Sequence, residues 1–113
     1  VRRLCPAEAL PEGAARGFDN PADPEGYGVV VVRRDGLLRA YRNRCPHTGV
    51  PLEWLPDVFL DPEGEHLQCA THAALFRIGD GHCIAGPCAG RGLQPLPVEE
   101  RDGWVVMDEC VNA

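Results

Sequence analysis

Two short elements of this sequence each pair a thiol with an imidazole, Cys45-Pro46-His47 and Cys69-Ala70-Thr71-His72. Each follows a stretch that reads as a strand, so each can bring one sulfur and one nitrogen towards a common point. Two cysteines and two histidines suit a tetrahedral zinc ion. They also suit a 2Fe-2S cluster in which the histidines ligate one iron and the cysteines the other. Zinc ribbons and fingers usually pair cysteine with cysteine in their first knuckle, so the spacing has to decide between the two centres.

A Cys-x-His element followed by a Cys-x-x-His element, with glycine and proline nearby, resembles the Rieske family. The likeness continues through Cys45-Pro46-His47-Thr48-Gly49-Val50-Pro51-Leu52, Cys69-Ala70-Thr71-His72-Ala73-Ala74-Leu75-Phe76, Gly79-Asp80-Gly81 and Gly86-Pro87-Cys88, and it looks like the small soluble Rieske ferredoxins. It covers about 45 to 88. The resemblance implies a 2Fe-2S cluster on Cys45, His47, Cys69 and His72, with the cysteines on the buried iron. The histidines would bind the outer iron through Nδ1 and leave Nε2 towards solvent. Gly86-Pro87 would belong to a third, proline-bearing loop over the cluster. Two thiolates and two neutral imidazoles take such a site from about 0 to about -1 on reduction, and this raises its potential above that of an all-thiolate cluster.

Departures from the family pattern narrow the reading. Respiratory members carry two further cysteines that link their cluster loops, and here those positions are Val50 and Thr71, so that disulfide cannot form. Respiratory members also place a serine and a tyrosine hydroxyl near the cluster sulfurs, where this sequence has Ala74 and Phe76. Hydrogen bonds to sulfur stabilise the more negative reduced state. Their loss predicts a potential at the low end of the Rieske range, on the order of -150 mV. Ala73 stands where the family usually has glycine, and a positive φ there would cost about 1 kcal/mol.

The remaining reactive side chains have plainer readings. Cys83 and Cys88 flank a Gly-Pro turn and are read as buried apolar thiols in preference to a disulfide, while Cys5 and Cys110 near the ends have no demonstrated proximity. His66 and His82 lack a cysteine at matching spacing and are expected on strands or the surface. Trp54 follows the first ligand loop as a shield or partner contact, and Trp104 is expected in the core. The acidic clusters Glu63-Glu65 and Glu99-Glu100 read as solvated faces.

The elements that must carry these loops are short. Thirteen glycines and 11 prolines punctuate the chain, and no apolar pattern is long enough for a substantial helix, so the fold class is all-β, an antiparallel sandwich or small barrel. Tyr27 to Arg33 and Leu37 to Arg42 form a hairpin about Asp35-Gly36. Further strands are expected at Asp57 to Leu60, His66 to Cys69, Ala74 to Arg77, Gln94 to Glu99 and Trp104 to Asp108. Turns are expected at Pro62-Glu63-Gly64, Gly79-Asp80-Gly81 and Asp102-Gly103. Asp19 to Glu25 is expected as a surface loop. With 113 residues, one Rieske-type domain over 1–113 is expected, its cluster-binding subdomain at about 43–90.

A net charge of -6, from 17 acidic and 11 basic side chains, argues against a nucleic-acid partner and fits docking on basic proteins. No stretch approaches the roughly 18 to 20 apolar residues of a membrane span, and no apolar leader follows Arg2-Arg3. The expectation is a soluble, cytoplasmic, monomeric electron carrier between a flavin reductase and an oxygenase or similar redox enzyme. It has no substrate chemistry of its own. The competing readings are an electron-transfer or accessory subunit held in a reductase or oxygenase complex, and a zinc-binding structural β module.

Overall fold

Asp35 and Gly36 both take positive φ, 55° and 74°, as do Asp102 and Gly103, 54° and 81°. Two consecutive residues of this kind make the two-residue turn whose twist matches antiparallel strands, which is why Asp-Gly closes a hairpin at both places. The computed structural model describes residues 2–21, 23–46, 52, 59–61, 64–69, 74–86 and 91–107. Among them lie ten strands and one short 3-10 turn, Ala7–Ala9. The strands are β1 Arg2–Pro6, β2 Ala15–Phe18, β3 Val29–Arg34, β4 Leu37–Arg42, β5 His66–Gln68, β6 Leu75–Arg77, β7 Cys83–Ala85, β8 Pro95–Leu96, β9 Val98–Arg101 and β10 Trp104–Met107. They form three antiparallel sheets, ordered β1-β10-β9, β2-β3-β4-β8 and β5-β6-β7.

The four-stranded sheet carries a core on each face. Val29 and Val31 pack with Cys5, Leu10, Ala40, Val105 and Met107 on one side. Val30 and Val32 pack on the other with Tyr41, Leu67, Phe76 and the two candidate thiols, Cys45 and Cys69. Successive strand residues point to opposite faces, so only a strand covered on both sides reads as four apolar residues in a row. All four valines are fully buried.

The all-β antiparallel class is therefore observed, with several changes of detail. The single strand expected from Gln94 to Glu99 is two, separated by Pro97: β8 pairs with β4, whereas β9 pairs with β10 in another sheet. Proline has no N–H to give to a ladder, and the chain changes sheets there. Strands β1, β2 and β7 were not expected; β1 and β2 recruit Arg2, Arg3, Arg16 and Gly17 into ladders with distant partners. The hairpin strand starts at Val29, not Tyr27. Of the strand expected over 57–60, residues 57 and 58 lie outside the described residues, while Leu60 bridges Leu67. Pro62 and Glu63 of one expected turn, and Asp108 at the end of another strand, also lie outside. Trp104 is half-buried instead of core, and the Arg3 guanidinium covers its ring 5.0 Å from the centroid.

Candidate metal centre

Strand β4 leads directly into the first ligand loop. Burial alternates along its exit, with Tyr41, Asn43 and Cys45 inward and Arg42 and Arg44 at the surface boundary. The Tyr41 hydroxyl donates to the carbonyl of Ile78 at 2.6 Å, tying β4 to the turn between β6 and β7. Two residues on, the buried Asn43 side chain accepts the amide of Leu52 through Oδ1 at 2.8 Å. That bond joins the two sides of the segment containing Cys45.

The second element is carried by the β5–β6 hairpin, with Gln68 opposite Leu75. Beyond that pair the Cys69 amide donates to the Ala74 carbonyl at 2.9 Å, so Cys69 sits on the last rung of the ladder. Gly86, at φ 97°, closes on the same place, where a β-carbon would stand 2.8 Å from the Ala74 Cα. Glycine is needed there both for the left-handed backbone and for the contact. Arg91 bridges the other way, its Nη1 donating to the Pro46 carbonyl at 3.1 Å.

Cys45, three residues beyond β4, and Cys69, directly after β5, are both fully buried thiols in one core with Leu52, Phe59, Leu67, Ala74 and Phe76. A thiolate in such surroundings is costly unless a cation meets it, and bound metal supplies that charge. Two buried thiols in one core therefore fit the cysteine half of an S2N2 centre. His47 and His72 lie outside the described residues, as do Val50, Trp54, Thr71, Ala73, Pro87, Cys88 and Cys110. Among the described residues alone no three metal-ligating side chains cluster.

The family model for the Rieske [2Fe-2S] domain matches residues 2–100. The chain belongs to the Rieske family. A Rieske domain binds a 2Fe-2S cluster, and the donor types placed here agree with that cofactor. The structure resembles the Sphingomonas yanoikuyae B1 ferredoxin with a TM-score of 0.70, 27% identity and coverage of 95% of this chain and 96% of that one. It shares its fold with the ferredoxin of carbazole 1,9a-dioxygenase from Nocardioides aromaticivorans IC177, with a TM-score of 0.71, 23% identity and 94% coverage of each. Over 100 residues it is 30% identical to the carnitine monooxygenase oxygenase subunit of Acinetobacter pittii, covering 78% of this chain and 25% of that one. The chain spans about a quarter of the length of that relative.

Other titratable groups of this Rieske chain are occupied elsewhere. Burial would raise the Asp61 carboxyl, but the amides of His66 and Glu65 and the His66 ring, its Nδ1 3.0 Å from Oδ2, hold it below its ordinary value. His66 is therefore engaged with Asp61, and His82 is exposed just before β7, where it bridges Gly92. Cys83 is buried in the same core as Cys45 and Cys69 and donates to the Ala85 carbonyl at 3.2 Å. Cys5 is buried on the opposite face of the central sheet, where burial pushes its thiol pKa up. Of the two acidic clusters, Glu99 and Glu100 are exposed on β9, Glu100 pairing with Arg33 and Glu99 with Arg101. Sequence reasoning missed Asn43 and Arg91, whose partners lie nine and 45 residues away and leave no local pattern.

No helix among the described residues is long and apolar enough to cross a membrane.

Proposed function

We propose that this chain is a one-electron carrier whose 2Fe-2S cluster is held by Cys45, His47, Cys69 and His72 and which supplies an oxygenase. The observation that carries the reading is the pair of buried thiols, Cys45 and Cys69, which follow two strands and share one core. When bound, the cluster supplies a reversible one-electron couple. Cys45 and Cys69 would hold the cluster through their thiolates and contribute the compensating negative charge. Leu52, Phe59, Leu67, Ala74 and Phe76 keep water from those thiolates. His47 and His72 would complete the ligand set as neutral imidazoles. Ala74 and Phe76, both fully buried, have no hydroxyl to give to sulfur, which supports a potential on the order of -150 mV.

A ferredoxin-like role is supported by the likeness to the Sphingomonas yanoikuyae B1 ferredoxin. The solved complex of reduced oxygenase and oxidised ferredoxin in carbazole 1,9a-dioxygenase, which shares this fold at a TM-score of 0.75, supports an oxygenase as acceptor. A flavin reductase is the proposed donor. On this reading residues 1–113 act as one cytoplasmic, monomeric domain, with the cluster carried within about 43–90, and electron transfer is their whole activity. The likeness to oxygenase subunits favours one second reading, in which the domain works while held to a catalytic partner. Co-purification with that partner distinguishes the two.

The test is a redox titration of purified protein with iron and acid-labile sulfide analysis. The proposal expects about two irons and two sulfides per chain and a one-electron transition on the order of -150 mV. Colourless protein with stoichiometric zinc would overturn it, and a potential well above 0 mV would overturn the assignment of low potential to Ala74 and Phe76.

A further inference from the structure

The charge of this chain is unevenly placed. Residues 43–52, 69–76 and 81–92, which contain the two ligand elements and the Gly86-Pro87 segment, hold two arginines, Arg44 and Arg91, and no acidic side chain. All 17 carboxylates fall on the rest of the chain, against nine arginines, and they resume at Glu53.

The two arginines sit differently from their neighbours. Arg42 is neutralised, its guanidinium bonded to Asp23 at 2.7 Å and to Glu25 at 2.8 Å. Arg77 is paired with Asp80 at 2.7 Å. Arg44 lies against the same Tyr27 ring that Arg42 covers, 5.7 Å from its centroid, and its buried Nε has no hydrogen-bond partner. Arg91 is exposed and is held beside the first ligand loop by its bond to the Pro46 carbonyl. Neither has a carboxylate in ion-pair range among the described residues. An unneutralised guanidinium that reaches the surface is suited to a carboxylate, which it binds through two parallel N–H bonds.

We propose that Arg44 and Arg91 make the ligand-loop end of this otherwise acidic chain a docking rim for a carboxylate-bearing surface of its electron partner. This rests on the reading that the loops hold the cluster. It reverses the expectation from net charge alone, under which the chain would dock everywhere on basic surfaces. Acidic flanks around a cationic rim would orient a partner whose own face is acidic at its centre and basic around it.

The local sign of charge is read with small redox probes on cluster-loaded, reduced protein. In each reaction one electron leaves the protein, reducing ferricyanide to ferrocyanide or hexaamminecobalt(III) to cobalt(II). At an ionic strength of about 10 mM, where screening is weak, Arg44→Gln/Arg91→Gln should slow oxidation by ferricyanide about fivefold and speed oxidation by the cobalt cation. Arg44→Lys/Arg91→Lys should keep most of the wild-type ratio, and the difference should vanish at about 0.5 M salt. Equal changes with both probes, or none, would overturn the proposal. Should the glutamine pair fail to hold its cluster, the wild type alone decides. A ferricyanide rate that falls with added salt supports the rim, and one that rises shows that the net negative charge governs. Protein lacking the cluster gives no visible bleaching on reduction, so failure of the underlying reading appears before any kinetics.

Discussion

Gly86 and Ala74 meet so closely that a β-carbon on Gly86 would stand 2.8 Å from the Ala74 Cα. Ala74 accepts the Cys69 amide, so this contact presses Gly86 onto the last rung beside the Cys69 thiol. Gly86→Ala adds a strained backbone at φ 97° to an overpacked contact, together costing about 2–4 kcal/mol. The expected outcome is a lower unfolding midpoint and less iron per chain at equal expression. Unchanged stability and full iron loading would show that the contact relaxes without consequence.

Asn43 closes the other side. Its Oδ1 is the acceptor for the Leu52 amide in a buried setting, and Asn43→Ala leaves that donor without its partner. A loss of about 1–3 kcal/mol follows. The cluster should also be lost faster to an iron chelator, because the segment between Asn43 and Leu52 contains Cys45. Asn43→Asp keeps an acceptor and should restore much of the retention. Equal chelation rates in all three proteins would count against this role.

Tyr41 links β4 to the β6–β7 turn through one hydrogen bond to Ile78, with the hydroxyl fully enclosed. Removing it in Tyr41→Phe strands a buried carbonyl and should cost about 1–3 kcal/mol in chemical denaturation. The reduction potential should stay within experimental error, because the hydroxyl is committed to backbone. A clear shift in potential would mean that Tyr41 also reaches the cluster.

Acid should unfold the protein partly through Asp23. The Arg42 guanidinium bonded to it holds its carboxyl below the ordinary 3.8. The folded state therefore binds fewer protons than the unfolded chain around that pH. The stabilisation is fully present above about pH 4 and is lost as pH falls through the depressed pKa. Asp23→Asn should be less stable at pH 7 and show a flatter decline between about pH 5 and 2. Parallel pH profiles for the two proteins would refute the linkage.

The Asp35-Gly36 hairpin and the Asp102-Gly103 turn were legible because the turn chemistry is local, and the Val29 to Val32 run was legible because two covered faces leave no polar alternation. Cys45 and Cys69 are buried, Cys45 three residues beyond β4 and Cys69 directly after β5. What was hidden depends on distant partners. β1 and β2 form only because Val105 and Val30 offer ladders to sequences rich in arginine and glycine. Pro97 was in plain view, but the change of sheet it marks is a tertiary fact. Trp104 looked like core because its neighbours are, and Arg3 on the paired strand covers it instead. The histidine half of the site lies outside the described residues, so its assignment rests on the motif and the family.

The most direct test of mixed cysteine and histidine ligation is pulsed EPR of the dithionite-reduced protein, read for nitrogen bound to iron. Two strongly coupled nitrogens are expected, one lost in His47→Cys and the other in His72→Cys if those variants keep a cluster, and both present in the wild type. A wild-type spectrum with no strongly coupled nitrogen, or no paramagnetic signal in protein that carries zinc, would contradict a cluster on Cys45, His47, Cys69 and His72.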